Sequence, residues 1–429
     1  MLMMDRRRLL GSIAGAALAS AAPGRAATRG AAPLKLEALQ SLIDGLVAAG
    51  RVPGAVVAVV EPGAFRPQFL SVGRTAFDGG QAVTPDTLWR IYSMSKPITA
   101  MAVMQRIAAR DLAIDQPVAD ILPELARPRV LIDPKAGLES MPAPAGPTIR
   151  QLLTHTAGYT YAINGDGPLE REYRRLGIQP GSVNGFLRPG DGPLPDLNGM
   201  VAALAGLPLW QAPGAGWRYS ISLDVAGALL ERLAGETLDR VLERQLFGPL
   251  GMASTGFWAR DAGRLASNYL WIGADGKPLD TPVPLAPIEK DGFTARPRLL
   301  SGGGGLVSSA RDYARFVQML LNEGQFNGRT IMPTGTARQA LSNMMPLGQL
   351  YEGRNGFGAG GRLTLFDTRS GGEGAPAMLY GWGGAAGTLM VVDRVRQLGV
   401  VVMLQYMPQQ RFPLEKDLAR SLNRAADGR

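Results

Sequence analysis

Apolar residues fall into two kinds of run along this chain, and their periods predict its elements. "LKLEALQSLIDGLVAAG" (34–50) spaces its leucines at helical intervals and stops at Gly50, so it reads as a helix. "GAVVAVVEPG" (54–63) is a continuous β-branched run closed by Pro-Gly and reads as a buried strand, with "FLSVGRTAF" as its hairpin partner. Beyond it, "SKPITAMAVMQRIAARD" repeats apolar residues at Ile98, Met101, Met104 and Ile107, one helical face turned to the core. Proline is tolerated only in a first helical turn, so Pro97 puts Ser93 at or just before the start of that helix.

From about 115 to 285 the pattern changes to Pro- and Gly-rich loops around short helices such as "IRQLLTH", "LNGMVAALAG" and "DVAGALLERLAG". Strand signals return in "GTLMVVD" (387–393) and "QLGVVVMLQY" (397–406), spaced as adjacent antiparallel strands, and "EKDLARSLNRAA" closes the chain as a helix. This order predicts an α/β (α+β) domain from 30–115 and 285–429 with a mostly helical domain, 116–284, inserted into it. "SGGGGLVSSARD" (301–312) is followed by no Lys-Ser/Thr, so it is not a phosphate loop. It reads as a glycine turn, with Ser309 capping a helix and Asp312 three residues on.

Composition narrows the chemistry. With 46% hydrophobic and 19% charged residues, 429 residues describe an ordinary globular chain with room for a large core. The net charge of +9 comes from arginines scattered among acids, as in "LEREYRRLG", without a basic run interleaved with aromatics, so no nucleic-acid partner is implied. Cysteine is absent, which excludes disulfides and thiolate catalysis. One histidine, His155, is too few for the usual zinc sites, so neither metal nor cofactor is expected. "MDRRRLLGSIAGAALASAAPGRAA" joins an arginine block to a small-residue apolar run and a cleavage-like "GRAA". It predicts a twin-arginine export signal over residues 1–26, a mature start near Ala27, and a periplasmic or secreted protein. No later run approaches the roughly 18 apolar residues of a membrane span. The oligomeric state has no signature here.

"RIYSMSKPIT" (90–99) holds the candidate chemistry. Lys96 is one of only six lysines among 45 basic residues, and it follows Ser93 by three, which puts both on one helical face. A serine hydroxyl attacks only when something takes its proton, and a helix N-terminus offers N–H groups to an oxyanion. S-x-x-K alone is a weak signal. Two further elements strengthen it: "PGAGWRYSISLDVAG" sets Tyr219 between a Pro-Gly turn and a helix, and "YGWGGAAGT" sets Trp382-Gly383-Gly384 before a strand, where a glycine pair lets a substrate approach the backbone.

In that order the motifs resemble the serine β-lactamase-like hydrolases related to class C β-lactamases, and among them the family VIII carboxylesterases. The likeness runs from about residue 38 to 425 through "GRVPGAVVAVV", "DTLWRIYSMSKPITA", "QLLTHTAGY", "PGAGWRYS", "FGPLGMASTGF", "GGGGLVSSARDYARF" and "WGG". It implies a β-lactamase/transpeptidase-like fold, Ser93 as the acylated nucleophile, Lys96 and Tyr219 as its acid/base pair, and the Ser93 and Ala385 N–H groups as the oxyanion hole. Whether Lys96 or Tyr219 first takes the proton stays open. This chain departs from the lactamases twice. Ile221 stands where they carry an asparagine after the tyrosine, and Trp-Gly-Gly stands for Lys-Thr-Gly, so the cation that meets a β-lactam carboxylate is absent and Trp382 offers apolar surface instead. Both changes favour small esters as substrates. A β-lactamase, D-amino-acid peptidase or acyltransferase on the same scaffold is the alternative, and a silent binding or sensor protein is the second. His155 invites a Ser-His-Asp triad, but it follows a short helix in a stretch that the family uses as scaffold, and no G-x-S-x-G occurs, so a structural role is expected.

Overall fold

The computed structural model describes residues 36–178, 196–273, 275–285, 292–346, 349–353, 355–365 and 377–426. The predicted export signal lies outside them. Helix α1 (Glu37–Ala48) leads into β1 (Gly54–Val60), β2 (Gln68–Ala76) and β3 (Gly79–Ala82). Five further strands come from the far end of the chain: β4 (Gly356–Phe357), β5 (Arg362–Leu365), β6 (Ala377–Gly383), β7 (Leu389–Asp393) and β8 (Leu398–Met403). Together they form one eight-stranded sheet in the order β4-β5-β6-β7-β8-β1-β2-β3, antiparallel throughout. The predicted hairpins β1–β2 and β7–β8 are both present. β8 closes the sheet by pairing with β1, Val57 opposite Val402.

Why β1 lacks a polar alternation is clear from its two faces. Val56, Ala58 and Val60 join one core and Ala55, Val57 and Val59 join another, so every residue is covered. Burying each valine in this way contributes about 1.5–3 kcal/mol. On one face lie α1 and the closing helix, α8 (Leu414–Ala426), which also pack against each other. On the other lies α7 (Ala310–Leu321), capped by the Ser309 hydroxyl, which accepts the Asp312 N–H as its sequence predicts. At Gly399 a side chain would meet Val317 of α7 at 2.4 Å, so glycine sets the closeness of helix and sheet.

α2 (Ser95–Ala108) runs through the middle of the molecule, and all residues from Ser95 to Met104 are buried, more than the single predicted stripe. Against it packs α6 (Ser222–Ala234), which ends at Gly235 in the left-handed conformation and also touches α3 (Ile149–Leu153) and α5 (Leu197–Ala205). α4 (Pro168–Arg175) lies nearby in sequence. Inside the stretch read as helical, Tyr269–Ile272 and Pro278–Pro284 form strands instead, and the first pairs in parallel with Tyr406–Met407. That pairing ties residues 269–284 to the C-terminal part of the chain. No described helix is long and apolar enough to cross a membrane.

Candidate active site

Ser93 lies in a single 3₁₀ turn, Tyr92–Met94, directly ahead of α2. Tyr92 has φ +42°, a left-handed conformation costly for a bulky residue. Its surroundings hold it there: Asn268 donates to the Tyr92 hydroxyl at 3.1 Å, and the ring meets Phe293 edge-on at 5.5 Å. Tyr313 donates to the Met94 carbonyl at 2.8 Å and pins the other side of the turn. In the run from Ile91 to Ala100 every residue is buried except Ser93. The turn thus presents one hydroxyl at the surface of a closed core.

The three predicted residues meet there. Ser93 Oγ and Tyr219 Oη share a hydrogen bond of 2.5 Å, and Lys96 Nζ, fully buried, donates to Ser93 Oγ at 3.3 Å and to the Gly303 carbonyl at 2.6 Å. Lys96 Nζ also lies 4.6 Å from the centre of the Tyr219 ring and 5.3 Å from that of Tyr161, where a cation is attracted to the ring faces. Ser95, by contrast, points inward and accepts the Leu306 N–H at 3.1 Å.

Tyr219 is positioned by its neighbours on both sides. Gly214, with φ +81°, turns the preceding loop, and its N–H donates to Thr156 O. Arg218 stacks over Trp210 and forms an ion pair of 2.6 Å with the buried Glu170 of α4. Asn164 donates to the Tyr219 carbonyl at 2.6 Å. Ile221 is buried in the main core, so the third residue of the Tyr-Ser-Ile motif presents nothing polar to Ser93.

Trp382 is only 5% exposed and packs with Tyr219, Tyr351, Phe357 and Met345 in one aromatic cluster. Its place in the structure is beside Tyr219, as a wall that holds the phenol. Gly383 and Gly384 follow at the end of β6, which lies against the Ser93 turn. A Cβ on Gly384 would meet the Ile91 carbonyl at 2.3 Å, so the glycine is what allows this strand end to approach the Ser93 turn. Ala385 comes next, half-buried beside Tyr92 in a small cluster of its own.

His155 does not join the hydroxyl network around Ser93. Its Nδ1 bonds to Ser220 Oγ at 3.0 Å, its carbonyl accepts the Arg218 N–H at 2.9 Å, and its ring packs among Trp217, Tyr219 and Phe357. Burial, and secondarily the Lys96 charge, holds the imidazole well below its usual protonation range, so it stays neutral. It braces the backbone around Tyr219. Among the described residues no group of three or more His, Asp or Glu side chains is close enough to hold a metal ion.

One part of the site escaped the sequence reading. The Ser301–Gly304 turn is not a passive connector; it wraps Lys96, and it is held by Asp224 in the first turn of α6. Asp224 is 2% exposed and accepts from Ser301 Oγ at 2.5 Å and from the Gly303 N–H at 3.1 Å. Burial pushes its carboxyl above the usual range, while the Lys96 charge and these hydrogen bonds pull it back down. Asp224 reads in sequence as one polar residue of an amphipathic helix, and its partner glycines lie nearly eighty positions away.

A family model described as Beta-lactamase matches residues 39–424. The chain belongs to the beta-lactamase family. Esterase EstB of Burkholderia gladioli is 33% identical over 85% of this chain and 89% of its own. The acyltransferase calJ of Penicillium decumbens is 27% identical over 77% and 78%. Among solved structures, EstCE1, described as a hydrolase with promiscuous acyltransferase activity, superposes with a TM-score of 0.70 at 26% identity, covering 89% of this chain and 97% of its own. The large antiparallel sheet with helices on both faces is thus the β-lactamase/transpeptidase-like fold.

Proposed function

We propose that this protein is a serine esterase that cleaves small carboxylic esters through an acyl-enzyme on Ser93. The observation that carries the reading is the direct contact of Ser93 Oγ with both Tyr219 Oη and Lys96 Nζ. As Ser93 Oγ bonds to the ester carbonyl carbon, its proton passes to the Tyr219–Lys96 pair, and the departing alcohol takes that proton back. Water then repeats the sequence on the acyl-enzyme. The Ser93 and Ala385 N–H groups are assigned to the oxyanion, with Gly383 and Gly384 giving the strand end its close approach. No cofactor enters any step.

Esters are favoured over β-lactams because Ile221 is turned into the core and the Trp-Gly-Gly stretch supplies no cation for a lactam carboxylate. The esterase EstB and the hydrolase EstCE1 among its relatives support the same choice. A second reading, acyl transfer to an alcohol other than water, is favoured by the acyltransferase relatives and uses the same acyl-enzyme. The "MDRRRLLGSIAGAALAS" segment supports export through the twin-arginine route. A panel of p-nitrophenyl esters set against nitrocefin tests the substrate class. The butyrate ester is expected to exceed nitrocefin in kcat/KM by roughly 10²-fold or more; equal values overturn the esterase reading, and no turnover of either supports a silent binding protein.

A further inference from the structure

Among the described residues, Lys96 Nζ donates hydrogen bonds to Ser93 Oγ and to a backbone carbonyl, Gly303 O, and the same glycine donates its N–H to a carboxylate. Asp224 is fully inside the protein, and no described lysine or arginine nitrogen comes within ion-pair distance of it. A buried charge without a counter-charge is expensive, and a buried lysine without one is equally so. Here both bond to one residue, Gly303: the amine to its carbonyl and the carboxylate to its N–H. Gly303 is tailored to that arrangement, because a Cβ there would come within 2.5 Å of Asp224 Oδ2. Gly302 beside it leaves no more room: its Cβ would meet the Leu223 carbonyl at 2.7 Å. The carboxylate therefore lies flat against the turn that holds the lysine.

We infer that Asp224 is a positioning residue for Lys96: it balances the charge of the buried amine across Gly303 and, by holding that residue's N–H, fixes the carbonyl that aims Nζ at Ser93. The groups that face Lys96 are Ser93 on its own element, Tyr161 and His155 from the segment after α3, Tyr219 ahead of α6, and Asp224 on α6. Asp224 is the one carboxylate in this set. Tyr161 bridges the two charges on the other side, its ring near Nζ and its hydroxyl 3.5 Å from Asp224 Oδ2. The electrostatic influence of Lys96 on Asp224 agrees with the geometry. The inference rests on the Ser93–Lys96–Tyr219 reading only for its effect on turnover; the charge balance is a property of the fold.

The test separates the two. Asp224→Asn keeps the volume and a carbonyl for Ser301 and the Gly303 N–H but removes the charge, and Lys96→Met removes the opposite one. Melting temperatures are measured for wild type, both single variants and the double variant. Each single variant is expected to melt lower than wild type, and the double variant to recover at least about half of the summed loss, since each change removes the charge the other leaves unbalanced. Additive losses overturn the inference. If Asp224→Asn alone does not fold, a folded Lys96→Met/Asp224→Asn protein supports it and an unfolded one overturns it. In the folded Asp224→Asn enzyme, kcat for p-nitrophenyl butyrate should fall roughly 10- to 100-fold with KM changed less than about threefold, since the interaction lost serves the reacting state and not substrate binding. A matching rise in KM with kcat unchanged contradicts positioning through Lys96. Should Ser93→Ala retain full hydrolysis, the esterase mechanism fails while the melting cycle still decides the charge pair.

Discussion

Ser93 Oγ opens to the surface and touches Tyr219, whereas two residues later Ser95 is fully buried and accepts the Leu306 N–H. Ser93→Ala should therefore abolish ester hydrolysis, and Ser95→Ala should keep kcat within about tenfold while losing roughly 1–3 kcal/mol of stability to the unpaired N–H. A p-nitrophenyl butyrate assay with a melting curve for each variant checks both; a dead Ser95→Ala enzyme with normal stability contradicts this assignment. Tyr219→Phe should lose nearly all activity, because Ser93 loses its closest polar partner. His155 is the complementary case. It occupies a left-handed backbone position, φ +58°, which asparagine adopts more readily than most residues, so His155→Asn should fold and retain at least about a tenth of wild-type kcat. Its protonation has a separate signature. The unfolded chain takes a proton on histidine near pH 6.5, while the folded ring resists it. Below that pH the unfolded state binds more protons, so stability falls by about 1.4 kcal/mol per pH unit until the folded ring also titrates. With a single histidine in the chain, the difference in stability between wild type and His155→Asn from pH 7 to 5 isolates this effect; a flat difference shows that the native ring takes up its proton as the unfolded one does, and contradicts the depressed protonation. Ser93, Lys96 and Tyr219 were legible because local spacing and motif order mark them. Asp224 was not, since nothing near it in sequence distinguishes it from the other polar residues of its helix.

At the scale of elements, residues chosen for close approach carry as much of the site as the reacting groups do. Gly303→Ala pushes a methyl onto Asp224 and should lower kcat at least about tenfold together with about 1–3 kcal/mol of stability. Gly335, at the start of a short helix with nothing within 4 Å of its would-be Cβ, is the control: alanine there should leave activity intact and stabilise by about 0.4–1 kcal/mol. Equal effects of the two substitutions would remove the role given to the 301–304 turn. The strands β1, β7 and β8 are legible because each carries a continuous apolar run, ended in β7 by Asp393, a pattern that survives only where both faces are covered. The glycine run reads as a turn, which is its local shape. Its contacts with Lys96 and Asp224 come from elements about 200 and 80 residues away, and no local pattern encodes such pairings. The strands at 269–284 were missed for a similar reason: they are short, Pro-containing, and paired with a two-residue segment far along the chain.

Over the whole molecule, the sheet joins the strands of residues 54–82 to those of residues 356–403, and α2, the segment leading into α6 and the end of β6 converge on one hydroxyl. The arginine-led N-terminus is a separate matter. In the native host the mature protein should begin near Ala27, and N-terminal sequencing of active enzyme that still carries "MLMMDRRR" contradicts export with cleavage. The central claim, a covalent acyl-enzyme on Ser93, is tested most directly by acid-quenching the enzyme during turnover of p-nitrophenyl butyrate and mapping the acylated peptide by mass spectrometry. Wild type should carry a butyryl group on Ser93 and Ser93→Ala none; butyryl on Ser95 or any other residue, or turnover by Ser93→Ala at the wild-type rate, rules the Ser93 acyl-enzyme out.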